Sequence, residues 1–192
     1  MGTPLLTKVP SVRLNREIAT LLKTGPKTGK PARRAERNWQ VLVGAAADGE
    51  LCRAYRYTTT APAVEWAGEA FDDSGWKMAR APFGTINRPR TPWNTPDIWL
   101  RQTFDWSGAS LQEAALVIFY DEDTEVFVNG QKIWHRSGFT TTYDIFTITD
   151  ALRKALKKGT NTLAVHTHQT GGGQFIDLAL LWEPQARYQK GT

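Results

Sequence analysis

Asp121, Glu122 and Asp123 stand side by side in YDEDTEVFVNGQKIW (120–134), a stretch that otherwise alternates as a strand does. On extended backbone Asp121 and Asp123 share one face, about 6.6 Å apart along the chain, and Glu122 takes the other. Paired carboxyls at about 5 Å or about 6.5–9.5 Å can cleave a glycosidic bond, so spacing alone admits acid/base catalysis. What is missing is a frame for a deep pocket. A calcium ion would need six or more oxygens, carbonyls among them. The plainest role is structural: carboxylates capping local backbone amides and pairing with Arg101 or Arg136. Recognition of sugar hydroxyls is the functional alternative, and it suits fixed carboxylates.

A second group lies in TLAVHTHQT (162–170), where alternation puts Ala164, His166 and His168 on one face. Two histidines on one strand face can ligate zinc only with a third ligand, for which His135 or Asp177 is available. The ordinary alternative is hydrogen bonding on the polar side of a sheet, where Gln169 and Gln174 belong too. Eight tryptophans supply the aromatic surface. Trp39, Trp66, Trp76 and Trp182 read as core anchors. Trp93, Trp99, Trp106 and Trp134 fall at strand ends or in a long loop, and indole faces there can stack on sugar C–H groups. Trp93, beside Asn94 and Asp97, is the best candidate for such a platform, with a core anchor as the equal alternative, and Tyr143 lies in the neighbouring loop SGFTTTYD (137–144). The expected ligand-binding set is therefore Trp93, Asn94, Asp97, Trp99, Asp121, Asp123, Trp134, Tyr143, His166, His168, Gln169 and Gln174. No serine or cysteine nucleophile is expected, because Cys52 reads as part of a strand and no serine occupies a Gly-rich elbow. Gly171-Gly172-Gly173 reads as a tight reversal rather than a phosphate cradle, since no helix follows it.

These residues must be positioned by short strands. Runs rich in β-branched and aromatic residues predict strands near 39–43, 52–58, 98–105, 115–120, 124–128, 132–135, 143–148, 162–169 and 174–182. Asn129-Gly130 marks a type I′ hairpin turn, whose two central residues need positive φ. TDALRKALKKG (149–159) predicts one short helix, capped by Thr149 or Asp150 and stopped at Gly159. Residues 71–99 fit neither pattern and predict a long ordered loop pinned by aromatic anchors. Many strands with one helical crossover imply an all-β, two-sheet antiparallel sandwich of jelly-roll type.

The charge is unevenly spread. Residues 1–40 hold nine Lys or Arg against Glu17 and Glu36, a surplus of seven in a chain of net charge +5, so the remainder is at −2. The basic arm (1–38, with a short helix expected at 12–23) reads as a solvated linker. The single aromatic of residues 1–40, Trp39 at the far end, gives no stacking platform for nucleic acid. Residues 39–185 form the expected sandwich and 186–192 a tail. No apolar run reaches the length of a membrane span. The ends, Met1-Gly2-Thr3 and Gly191-Thr192, look like cloning scars, so a piece of a longer protein is expected.

FDDSGWKMARAPFG, TPWNTPDIWLRQTF, DEDTEVFVNGQ and GTNTLAVHTHQTGGGQFIDLAL, in this order, resemble a galactose-binding-like jelly-roll module of bacterial carbohydrate-active enzymes. The sugar-binding domain of family 2 glycoside hydrolases is a more distant likeness through DDSGW and EVFVNG. The resemblance spans roughly residues 55–182. It implies a non-catalytic carbohydrate-binding module without a resident cofactor, calcium being the one ion considered. Its partners would be an oligo- or polysaccharide and the catalytic domain of a secreted or periplasmic parent. Two alternatives stay open: an accessory domain that packs on a catalytic domain without binding sugar, and a small glycan-active enzyme using the acids.

Overall fold

The computed structural model describes residues 38–46 and 54–185. The expected arm helix, Cys52 and the tail lie outside the described residues. The chain forms β1 (Gln40–Val43), β2 (Ala54–Thr58), a single-turn 3-10 helix (Val64–Ala67), β3 (Lys77–Arg80), β4 (Phe83–Gly84), β5 (Thr91–Pro92) and β6 (Asp97–Trp106). It continues through β7 (Leu111–Asp121), β8 (Asp123–Val128), β9 (Gln131–Arg136), β10 (Asp144–Thr147), α1 (Thr149–Ala155), β11 (Gly159–His168) and β12 (Phe175–Pro184). One sheet runs β10-β7-β12-β4-β5 with β1 also paired to β12, and the other runs β3-β2-β6-β11-β8-β9. The pairings are antiparallel except for the short β4–β5 contact. The all-β, two-sheet sandwich is therefore present.

Side-chain alternation explains which faces meet. In β8, Thr124, Val126 and Val128 are buried while Asp123, Glu125 and Phe127 are half-buried. The inward residues join Leu100, Leu163, Val165, Leu116, Ile118 and Leu178 in the core between the sheets. Each such aliphatic side chain contributes about 1.5–3 kcal/mol by leaving water. β7 and β12 break the alternation because both their faces are covered. On the outer side, Val117, Ala179 and Leu181 pack with Ala45 and with Trp39, Val41, Tyr143 and Ile145. That second apolar layer is why ALVIFY and LALLW read as continuous runs.

The Asn129-Gly130 turn forms as expected, with φ of 51° and 79°. Asn129 also ties elements together through its side chain. Its Nδ2 donates to the Ala155 carbonyl at 2.9 Å and to Asn161 Oδ1 at 2.8 Å. Its Oδ1 accepts the Thr162 N–H at 2.8 Å. Asn161, fully buried, donates from Nδ2 to the Lys157 and Gly159 carbonyls and accepts the Lys157 N–H on Oδ1. The two amides thus join the hairpin, the end of α1 and the start of β11.

Two expectations are corrected. The α1 N-cap is Ile148, without a side-chain cap. Thr149 instead bonds β7, its hydroxyl accepting the Ala114 N–H at 2.9 Å. The helix ends at Ala155, and Gly159, at φ 92°, opens β11 rather than stopping the helix. The long loop at 71–99 holds three short strands, β3 to β5. It is pinned by Trp93, which is 2% exposed, and by Phe71 edge-on to Trp76 with centroids 5.6 Å apart.

Candidate functional site

Register brings the histidines to an acid. β11 lies between β6 and β8, so His168 stands opposite both Asp97 and Asp123, and His166 opposite both Trp99 and Glu125. His166 Nε2 lies 2.8 Å and His168 Nδ1 2.9 Å from the same oxygen, Asp97 Oδ1. Partial burial pushes the Asp97 carboxyl up, but the two imidazole contacts outweigh it and hold the group below its ordinary value. His166 is fixed a second time by the Trp99 indole, stacked at 4.7 Å and 9° between planes. On its far side His166 Nδ1 is 3.8 Å from Glu125 Oε2. Asp97 Oδ2 and His168 Nε2 have no partner within the described residues, and His168 is half exposed. The result is a fixed acceptor beside an open ring nitrogen at the β6–β11 end of the sandwich.

The acid triplet sits at the same end but not as one strand face. Asp121 ends β7 in the first sheet and Asp123 begins β8 in the second, so the chain crosses between layers at Glu122. Asp121 and Asp123 therefore do not share a strand face as expected. Glu122 Oε2 accepts the Thr170 N–H at 3.1 Å and Asp123 Oδ1 the Gly138 N–H at 2.9 Å. These are the amide caps expected of a structural role. The expected arginines are elsewhere: Arg101 bonds Asp73 at 2.8 Å, and Arg136 lies over the Phe146 ring.

Partial burial, reinforced by the neighbouring Glu122 charge, pushes the Asp121 carboxyl up. Its folded pKa therefore exceeds the unfolded one, and its ionised form costs stability at neutral pH. Asp121→Asn should raise stability there by at most about 0.5 kcal/mol after solvent screening. The gain should disappear as pH falls below the unfolded carboxylate value. Urea midpoints at neutral and acidic pH check this.

The expected aromatic platform is not where it was placed. Trp93 is a core anchor, its Nε1 donating to Thr95 Oγ1 at 3.0 Å and to the Asp97 carbonyl at 3.2 Å. Trp99 is 9% exposed beneath His166, and Trp134 is half-buried against Tyr120 and Phe146. Indoles with a hydrogen-bonding N–H and a large apolar body are drawn inward wherever a partner exists. Tyr143 lies on the outer layer of the first sheet, where its hydroxyl donates to the buried Asp177 carboxylate. Gln174 is buried, its Nε2 donating to the Thr95 carbonyl at 2.6 Å. Gln169 is half-buried, and both polar atoms of its amide are buried without a partner. Asn94 is exposed.

The exposed ring at this end is Phe139, 63% accessible and bridged through its backbone to Asp121. Sequence reasoning placed its loop correctly but passed over the ring. Its one signal was a large apolar residue within a run of Ser, Gly and Thr.

Of the expected set, the structure joins Asp97, Trp99, His166 and His168 directly and sets Asp123 beside His168 by register. Trp93, Trp134, Tyr143 and Gln174 are engaged elsewhere. Among the described residues, no group of three or more His, Cys, Asp or Glu is placed to hold a metal ion. No helix among them is long and apolar enough to cross a membrane.

No protein-family model matches the sequence, and no curated protein matches it. Solved structures do. A β-glucuronidase from Bacteroides uniformis is similar over 78% of this chain, with a TM-score of 0.54 and 18% identity. The chain has a fold found within glycoside hydrolases. A glycosyl hydrolase family 2 member from Bacteroides cellulosilyticus is similar over 75% of the chain, with a TM-score of 0.50 and 19% identity. The chain spans only about a fifth of either structure, 18% and 20%. At these identities the likeness speaks for the sandwich fold alone and not for a site.

Proposed function

We propose that this chain is a non-catalytic carbohydrate-binding module of a larger carbohydrate-active enzyme, and that it binds at the rim around Asp97. The observation that carries the reading is the clamp of Asp97 Oδ1 by His166 and His168. It presents Oδ2 as an acceptor and His168 as a second polar group in a fixed relation, which is what a pair of sugar hydroxyls requires. Preorganisation matters here because a sugar exchanges water hydrogen bonds for protein ones and gains little per bond. Phe139 supplies an apolar face at the same end. The amide caps made by Glu122 and Asp123 support a binding role over turnover, because those carboxylates already hold backbone.

Titration calorimetry against neutral oligo- and polysaccharides is the test. Binding should be saturable and of modest affinity. Asp97→Asn should weaken it roughly tenfold, the value of one charge-assisted hydrogen bond. Phe139→Ala should weaken it without changing the fold. Absence of heat with every glycan would overturn the assignment.

A second reading rests on Val64 and Met78, 94% and 62% exposed. Large apolar side chains left in water suit packing against a catalytic domain of the same parent. Self-association of the isolated chain that Val64→Ser with Met78→Ser abolishes would favour it.

A further inference from the structure

We propose that the Asp97 rim selects its glycan by charge, taking amino sugars that carry an ammonium and turning away uronates. This deepens the binding reading above and rests on it. Asp97 is met by His166 and His168, and by no Lys or Arg among the described residues. Register sets a second carboxylate, Asp123, on the other side of His168, and Glu125 beside His166. Residues directly opposite on neighbouring strands share a face, so Asp97, Asp123 and Glu125 point to the same outer side of the second sheet. Of the three, Glu125 alone has a cation, Lys132. Asp121 and Glu122 follow at the crossing between the sheets, and neither pairs with a Lys or Arg among the described residues.

The arginines at this end do not offset these acids. Arg136 stands opposite the core-facing Thr124 and lies over the Phe146 ring. Arg88 and Arg90, in the loop between β4 and β5, belong to the first sheet and form no ion pair with a rim carboxylate. Amide caps do not cancel a charge: Glu122 and Asp123 each accept one backbone N–H and stay carboxylates. The Asp121 carboxyl is pushed up, first by partial burial and then by the Glu122 charge. An arriving cation therefore relieves a repulsion already in place, while an arriving carboxylate adds to it. A ring stands at the same end. Phe139, 63% exposed and bridged through its backbone to Asp121, attracts both a sugar C–H face and a nearby ammonium. Asp97 and Asp123 lie two strands apart, about 10 Å across the sheet, a span for more than one sugar. The class that uses both the acids and the ring is an oligosaccharide of protonated amino sugars, one amine donating to Asp97 Oδ2.

The test is titration calorimetry of the whole chain, at low salt and a pH where the amine is protonated. The ligands are the β-1,4 trimer of glucosamine, cellotriose, which has hydroxyls in place of the amines, and the trimer of galacturonate. The glucosamine trimer should bind roughly tenfold more tightly than cellotriose, the value of one charge-assisted hydrogen bond. The galacturonate trimer should give no saturable heat. Added sodium chloride should shrink the tenfold ratio, an arm that needs no variant. Asp121→Asn should shrink it too, with the amide spectrum reporting the fold. Equal affinities for the glucosamine trimer and cellotriose, a ratio indifferent to salt, or saturable binding of galacturonate would overturn the charge selection and leave the rim as a neutral-sugar site. Trilysine binding as tightly as the glucosamine trimer would overturn the sugar class. Heat from none of the trimers would sink the binding reading itself, and this inference with it.

Discussion

Gly84→Ala should destabilise the protein by about 3 kcal/mol or more, enough to remove much of a typical domain's stability. Gly84 has φ of 152°, a backbone region that side chains rarely adopt, and a Cβ there would meet the Gln174 carbonyl oxygen at 2.1 Å. The obstacle is backbone of the adjacent β12 edge, paired through Phe175 to Gly84, so no side-chain rotation relieves it. The Gly84 carbonyl also accepts the Trp93 N–H at 3.0 Å, so displacement of β4 would carry the buried Trp93 with it. Urea denaturation should show a lower midpoint with an unchanged slope. Gly75→Ala is the matched control: nothing lies within 4 Å of its added methyl, and its stability should stay within about 0.5 kcal/mol of wild type.

Asn161→Ala is expected to cost about 3–5 kcal/mol. The side chain is fully buried and holds Asn129 Nδ2, the Lys157 N–H and the Lys157 and Gly159 carbonyls. Deleting it strands buried donors and acceptors that water cannot reach, each costing about 1–3 kcal/mol, and leaves a small void. The damage should be local first. Hydrogen exchange should accelerate at Lys157 and Thr162 before it does in β7 or β12. A variant as stable as wild type would show that the amide pair is dispensable.

The strands that carry the core were legible because their chemistry is local. β8 advertises itself by alternation from Thr124 to Val128, and Asn129-Gly130 announces the hairpin to β9. β3, β4 and β5 were not legible. Two have only two residues, one includes Pro92, and pairing at a sheet edge needs no apolar pattern. The acid triplet was read at the junction of two strands, as found, but the change of sheet there was not legible, for a related reason. Alternation across Tyr120 to Val128 looks unbroken, and nothing in it marks Glu122 as the step from one sheet to the other.

The site was legible by composition but not by connection. His166 and His168 face the same way, as their spacing required, and Asp97 was among the expected ligand residues. Their partnership spans 69 and 71 residues, and only the antiparallel register of β6 and β11 creates it. The tryptophans stayed undecided because stacking on a sugar and filling a core call for the same residue. Burial, which decides between them, is a property of the assembled sheets.

The tie at Asn129 bears on how the protein ages. An asparagine followed by glycine is the sequence most open to spontaneous succinimide formation, in which the next residue's amide nitrogen attacks the side-chain carbonyl carbon. Here that carbonyl is held by the Thr162 N–H while its amide is held by Ala155 and Asn161. The side chain cannot swing onto the Gly130 nitrogen without breaking all three bonds. Storage should leave this position intact for as long as the hairpin stays closed, and an isoaspartate appearing there would be a clock for its opening.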